Sequence, residues 1–107
     1  MSQLSDTNVT DLILRAQMYR DIRADIATGA VLVETHEIKE DEAYRSDLIS
    51  YRFYGRSDLS WLVDLVANRE DIAGPHIISA LISLPDSVYI RNKIKTYSII
   101  QGQLING

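Results

Sequence analysis

A long N-terminal segment, residues 10–28, contains neither glycine nor proline. Gly29 follows it, at a position where helices often end in the left-handed conformation. Polar residues that can cap a helix precede the segment or open it, namely Ser5, Asp6, Thr7 and Thr10. We therefore predict a helix over residues 10–28.

The apolar residues of this helix fall on two faces. One face carries residues seven apart, and the other carries residues four apart. The first set is Leu12, Tyr19 and Ile26, and the second is Leu14, Met18 and Ile22. Two apolar faces need two covering surfaces, so either the chain's own domain encloses the helix or one face docks on another subunit. We favour docking, because a short chain has few elements with which to enclose a helix.

The segment that follows alternates β-branched and polar residues. Residues 30–38 have the composition and length of a strand. Residues 34–47 then carry six acids against two bases, which is typical of a solvated connection. The acids are Glu34, Glu37, Glu40, Asp41, Glu42 and Asp47, and the bases are Lys39 and Arg45.

Two short helices are predicted next. The first begins at Ser46 or Asp47 and ends at Gly55, and the second runs from Leu59 to about Asn68. Their apolar residues suffice for most of a small core. We expect Trp61 to make the largest single contribution to it, because it is the largest apolar side chain of the pair.

The C-terminal part is divided by proline-containing turns. Residues 74–75 are Gly-Pro, residues 85–87 are Pro-Asp-Ser, and the stretch between, residues 77–84, is apolar. Beyond the second turn, alternation predicts a strand over residues 88–97 with a basic, aromatic outer face. That face comprises Tyr89, Arg91, Lys93, Lys95 and Tyr97. Residues 98–107 are too apolar for a plain disordered tail, and ordering on a partner is one explanation.

Composition restricts the possible functions. The length of 107 residues predicts one domain, and 46% hydrophobic residues allow a real core. A net charge of −4 gives no basic surface for nucleic acid. The chain has no cysteine, no apolar run of the roughly 20 residues that span a bilayer, and no signal-like start. We therefore expect neither a nucleic-acid nor a membrane partner, and residence in the cytosol.

No set of residues has the spacing of a catalytic or metal site. His36 and His76 are the only histidines, and no Gly-x-Ser-x-Gly turn is present. The acids near His36 match neither a calcium loop nor a helical zinc pair. We predict no catalytic, cofactor-binding or metal residue. For the outer face of residues 88–97 a protein contact is favoured, with single-stranded nucleic acid and simple solvent exposure as alternatives.

The order strand, helix, helix, strand over about residues 35–91 resembles a LysM module. Residues 47–55 resemble that family's first helix, with Ile49 in the helix and Tyr54-Gly55 at its end. Trp61 and Asn68 stand where such modules place an aromatic residue and an asparagine, and residues 84–90 resemble the last turn and strand. Asp86 and Arg91 depart from the cell-wall modules, which have glycine and proline there.

With Pro75 and the extra N-terminal arm, the combination is closer to the LysM-like baseplate wedge proteins of contractile bacteriophage tails. The resemblance covers about half the chain. It implies an α+β fold with a helical arm (1–29), a LysM-like domain (30–97) and a tail (98–107). It also implies a structural virion protein, without catalytic activity or cofactor, that is assembled in the host cytoplasm.

The partners implied are other tail proteins and further copies of the chain. The candidate contact residues are Leu12, Leu14, Met18, Tyr19, Ile22, Ile26, Tyr89, Arg91, Lys93 and Tyr97. A peptidoglycan-binding LysM module and a LysM-like protein between tail tube and hub are the alternatives. In the glycan-binding case, the site would be the groove between the loop after the first strand and the loop of residues 68–84.

Overall fold

The computed structural model describes residues 4–67 and 74–106, with side chains described as far as residue 103. Within these residues, four helices, two strands and two 3-10 turns follow one another. The order is a 3-10 turn (Asp6–Asn8), α1 (Leu12–Thr28), β1 (Val33–Glu37), a 3-10 turn (Glu40–Glu42), α2 (Ser46–Tyr54), α3 (Ser60–Val66), β2 (Leu81–Pro85) and α4 (Ser87–Asn106). The strands form one antiparallel sheet, which confirms the α+β class.

The chain divides into two compact units. One, the terminal unit, combines Met1–Leu32 with Pro85–Gly107, and the other, the central unit, is Val33–Leu84. The sequence divided the chain at other positions, into an arm (1–29), a domain (30–97) and a tail (98–107). In the structure the N-terminal helix and the C-terminal segment belong to the same unit.

The terminal unit is built on contact between α1 and α4. The Asp11 side chain caps α1 by accepting hydrogen bonds from the amides of Ile13 and Leu14. Gly29 ends the helix with a φ of 76°, a backbone conformation that glycine adopts without steric cost. The predicted helix is therefore confirmed, and Asp11 caps it rather than the residues we suggested.

The predicted strand over residues 88–97 is wrong, because this segment is the first half of α4. Ile90, Ile94 and Tyr97 are spaced by four and three residues, and all three are buried. That spacing places them on one helical face, which packs in the terminal unit. The helix continues to Asn106, so residues 98–106 extend it and do not form a separate tail.

The central unit has the predicted order of strand, helix, helix, strand. Its core combines one residue directly after β1, one residue from each helix and two from β2. These residues are Ile38, Ile49, Val63, Ile82 and Leu84. Phe53 and Tyr54 pack against this cluster, and Gly55 ends α2 with a φ of 75°. The closing strand, β2, lies at Leu81–Pro85, earlier than the sequence indicated.

Trp61 does not fill the core as we expected. It is only half-buried, whereas its neighbours Leu62 and Val63 are fully buried. Leu59 and Ile49 supply the other large buried side chains near the two helices. The core of the central unit is therefore aliphatic. Asn68, the other residue of the motif, lies outside the described residues.

Candidate functional site

One apolar face of α1 is covered by the chain itself. Leu14, Met18 and Ile22 are all buried. They form part of the hydrophobic core, so we no longer regard them as a docking surface. On the second face, Tyr19 and Ile26 are half-buried, and only Leu12 is strongly exposed, at 73%.

Three tyrosines of the terminal unit donate hydrogen bonds to aspartates. Tyr19 donates to Asp6, and on α4 Tyr89 and Tyr97 donate to Asp25 and Asp21 of α1. Burial and the hydrogen bond to Asp21 together raise the pKa of Tyr97 to about 12. The hydrogen bond from Tyr89 and the nearby Lys93 ammonium lower the pKa of the Asp25 carboxyl.

The residues predicted to face outward from residues 88–97 therefore divide into two groups. Tyr89, Lys93 and Tyr97 are turned toward α1, where Lys93 lies 3.2 Å from an Asp25 carboxylate oxygen. Arg91 and Lys95 are exposed. Strand alternation had placed all five on one side, whereas helical geometry separates them.

One acid in the connection between β1 and α2 is entirely enclosed. Glu42 has 0% of its surface exposed, although the sequence indicated a solvated run. Its carboxylate accepts hydrogen bonds from the Lys39 amide (2.8 Å) and from Arg52 (3.1 Å), and it lies 2.9 Å from Nε2 of His36. Burial raises the pKa of Glu42, but these bonds outweigh burial and leave the pKa below its usual value.

The same group of residues fastens this connection to α2. Arg52 also makes a two-pronged contact with Asp41, at 2.9 and 2.6 Å. One sequence signal for Glu42 was its position, three residues after Lys39 at the start of a helical turn. An acid at that position often accepts a hydrogen bond from the backbone amide that precedes the turn. Among six acids in fourteen residues the signal was not distinctive.

The loops on either side of the two-helix segment are tied together by His76. The His76 amide donates to the Ala43 carbonyl at 2.6 Å, and its ring Nε2 lies 2.8 Å from the Ser46 hydroxyl. Ser46 donates to Asp64 at 2.5 Å. Ser46 and His76 are both buried. We call this cluster the loop junction, and the sequence had treated its residues as unconnected.

The loop junction contains a serine, a histidine and an aspartate, but they are not arranged for nucleophilic catalysis. In a catalytic triad the carboxylate binds the histidine nitrogen remote from the serine. Here Asp64 and Nε2 of His76 both contact the same hydroxyl. Ser46 is buried and donates its hydroxyl hydrogen to Asp64, so its hydrogen bonds have a structural role. These contacts connect α2, α3 and the segment before β2.

The loop junction occupies the position where a glycan groove would open. That groove would lie between the loop after β1 and the loop before β2, and the bond from His76 to Ala43 joins those two loops directly. The residues beside the bonded pair are apolar and exposed, Tyr44 at 71% and Ile77 at 78%. Ile78 and Leu81, the first residue of β2, are also exposed. We call these four residues the loop patch.

Neither a metal site nor a membrane-crossing helix is found where the structure is described. Across residues 4–67 and 74–106, no three His, Asp or Glu side chains are grouped so that they could hold a metal ion. Within the same ranges, no helix combines the length and the apolar character needed to cross a membrane. No family model, curated protein or solved structure matches this chain.

Proposed function

We propose that the chain is a structural component of a contractile bacteriophage tail baseplate, acting through protein contacts and without catalysis. The proposal of a baseplate is supported by the resemblance of the strand, helix, helix, strand segment to LysM-like wedge proteins. Its helix ending at Tyr54-Gly55 is part of that resemblance. The chain would assemble in the host cytoplasm, with other tail proteins and further copies of itself as partners.

The loop junction is the observation that carries the proposal. Where a glycan-binding module would present an open groove, this chain has two loops bonded to each other and apolar side chains facing outward. Sugars need polar groups that accept and donate hydrogen bonds, and here Ser46, Asp64 and His76 are engaged with one another. Exposed clustered apolar side chains more often mark a protein contact.

Co-sedimentation tests the proposal against its alternative. The purified chain is mixed separately with insoluble peptidoglycan and with candidate tail proteins. We expect it to remain in the supernatant with peptidoglycan and to co-migrate with a tail protein. Pelleting with peptidoglycan would favour a carbohydrate-binding module and would overturn the proposal.

A matched pair of variants tests the loop patch. Ile77→Ser removes one exposed apolar side chain from the loop patch, and Ile13→Ser removes one of similar exposure from the terminal unit. We expect Ile77→Ser to weaken binding to the tail protein and Ile13→Ser to leave it unchanged. Equal binding by both variants would show that the contact surface lies elsewhere.

A further inference from the structure

The outer face of α4 carries a stripe that the fold of the terminal unit does not use. Val88, Arg91, Lys95 and Ile99 are spaced by three, four and four residues, and all four are exposed. This spacing aligns them along one side of the helix over about 16 Å. We call them the basic stripe, since two cations stand between two apolar ends.

The cations of the basic stripe have no carboxylate partner in the described part of the chain. Lys93, their neighbour on α4, is held by Asp25, whereas Arg45 and Arg52 of the central unit are held by nearby acids. Arg91 and Lys95 form no such ion pair there. Two unpaired cations flanked by apolar side chains suit a partner surface of the opposite charge.

The central unit presents a surface of that kind. Its sequence has ten acidic residues against five basic ones, whereas the terminal unit has five against six. Exposed acids lie along and after β1, at Glu34, Glu37 and Glu40, and Val33 on the same strand is also exposed. We call these four residues the acidic segment. Glu37 is paired with Lys39, but Glu34 and Glu40 form no ion pair within the described residues.

The two surfaces are opposite in charge and similar in length. Each combines unpaired charges with exposed aliphatic surface, and β1 extends about 13 Å, close to the length of the basic stripe. We propose that the basic stripe of one copy docks on the acidic segment of a second copy of this chain. The inference deepens the proposed function and rests on it, because it names a partner for one protein contact.

The contact joins two different surfaces. In a pair of copies, one basic stripe and one acidic segment would therefore remain free to bind further copies. Such head-to-tail contacts lead to rings or to open chains of subunits. The net charge of −4 opposes association at long range, but salt screens charges beyond about 8 Å at physiological ionic strength. Local pairing of opposite charges then decides whether the copies bind.

Sedimentation equilibrium of the full chain tests this inference. The chain is measured up to about 1 mM, at about 50 mM and 500 mM salt. We expect reversible association that weakens at the higher salt. A chain that stays monomeric throughout, or whose association is unaffected by salt, would overturn the inference.

Charge reversal identifies the surfaces. Arg91→Glu with Lys95→Glu, or Glu34→Lys with Glu40→Lys, should each weaken self-association about tenfold, because attraction becomes repulsion. Mixing the two double variants should restore binding between them. A control that keeps the charges, Arg91→Lys with Lys95→Arg, should associate like the original chain.

Each result bears on the inference separately from the proposed function. Reversals without effect, or a mixture that does not associate, would overturn the docking of these two surfaces. Circular dichroism checks folding, and if one double variant fails to fold, the other carries the test. A monomeric chain that still binds a tail protein refutes only this inference, whereas self-association without tail-protein binding refutes only the proposed function.

Discussion

The enclosed carboxylate of Glu42 provides the sharpest test of how the central unit is held together. We consider Glu42→Ala. The substitution removes the acceptor for the Lys39 amide and for Arg52, and the neighbour of the His36 ring. Glu42 is fully buried, so water cannot simply replace it in the intact fold. The lost interactions are hydrogen bonds to a charged group, which contribute more than neutral ones.

The loss of unfolding free energy depends on whether each former partner of Glu42 finds another hydrogen-bond partner. Removing one member of a buried charged pair costs about 3–5 kcal/mol of unfolding free energy. Arg52 has 40% of its side chain exposed and keeps Asp41, so it regains hydration easily. The Lys39 amide and the His36 ring lose an acceptor. We therefore expect the lower end, about 3 kcal/mol.

Urea unfolding followed by tryptophan fluorescence measures this cost. Trp61 is the only tryptophan and lies in the central unit with Glu42, so its signal reports that unit. Glu40→Ala is the matched control, because Glu40 belongs to the same 3-10 turn and is exposed. The control should change the unfolding free energy by less than about 0.5 kcal/mol. Equal stability of both variants would refute the reasoning.

The effect of Glu42 also depends on pH. The pKa of Glu42 in the fold lies below its ordinary value of 4.5. The stabilisation is therefore fully present above pH 4.5 and disappears as the pH falls through the lowered pKa. Glu42→Gln should be less stable than the original chain at neutral pH, and the difference should shrink below pH 4.5. A difference that stays constant down to acid pH would contradict this assignment.

Three further predictions concern other parts of the fold. Tyr97→Phe should lower the unfolding free energy by about 1–3 kcal/mol at neutral pH. Because folding raises the pKa of Tyr97 from 10.0 to about 12, unfolding followed by circular dichroism should show this difference in stability disappearing as the pH rises from 10 to about 12. Gly55→Ala should destabilise the fold by about 1 kcal/mol in thermal unfolding, because φ is 75° there. Gly102→Ala inside α4 should stabilise it by about 0.5–1 kcal/mol, and a change in stability of the same sign for both variants would contradict the argument. Ser79→Gly should raise the unfolding free energy or leave it unchanged, because Ser79 holds a φ of 69°, and a clear loss would refute strain there.

The sequence predicted the elements that have local signals. Both helices ending at a left-handed glycine, α1 and α2, were found, because glycine marks that conformation directly. The α+β class and the order strand, helix, helix, strand were also predicted, but the closing strand was placed at residues 88–97, whereas β2 lies at Leu81–Pro85. The helical conformation of residues 88–97 was not predicted, because Ile90 and Ile94 share both a strand parity and a helical face. Only Tyr97, seven residues after Ile90, distinguishes the helix.

The contacts inside the fold could not be predicted from local sequence patterns. Glu42 was counted among solvated acids, because its enclosure depends on His36 from β1 and Arg52 from α2. The loop junction joins Ser46 to His76, thirty residues apart, and neither residue signals the other in sequence. The side chains Leu14, Met18 and Ile22 were correctly seen as a face, but its cover, α4, had been predicted as a strand.

The central unit is inserted between the two halves of the terminal unit, and this arrangement sets an order for synthesis. Asp21 and its partner Tyr97 are separated by 76 residues, and Asp11 and its partner Gln101 by 90. At ribosomal rates of about 5–20 residues per second, α1 waits roughly 4–15 s for α4 to be made. During that time Met18 and Ile22 lack their cover, so the nascent chain exposes apolar surface that chaperones bind. The central unit, being continuous in sequence, is free to fold within that interval.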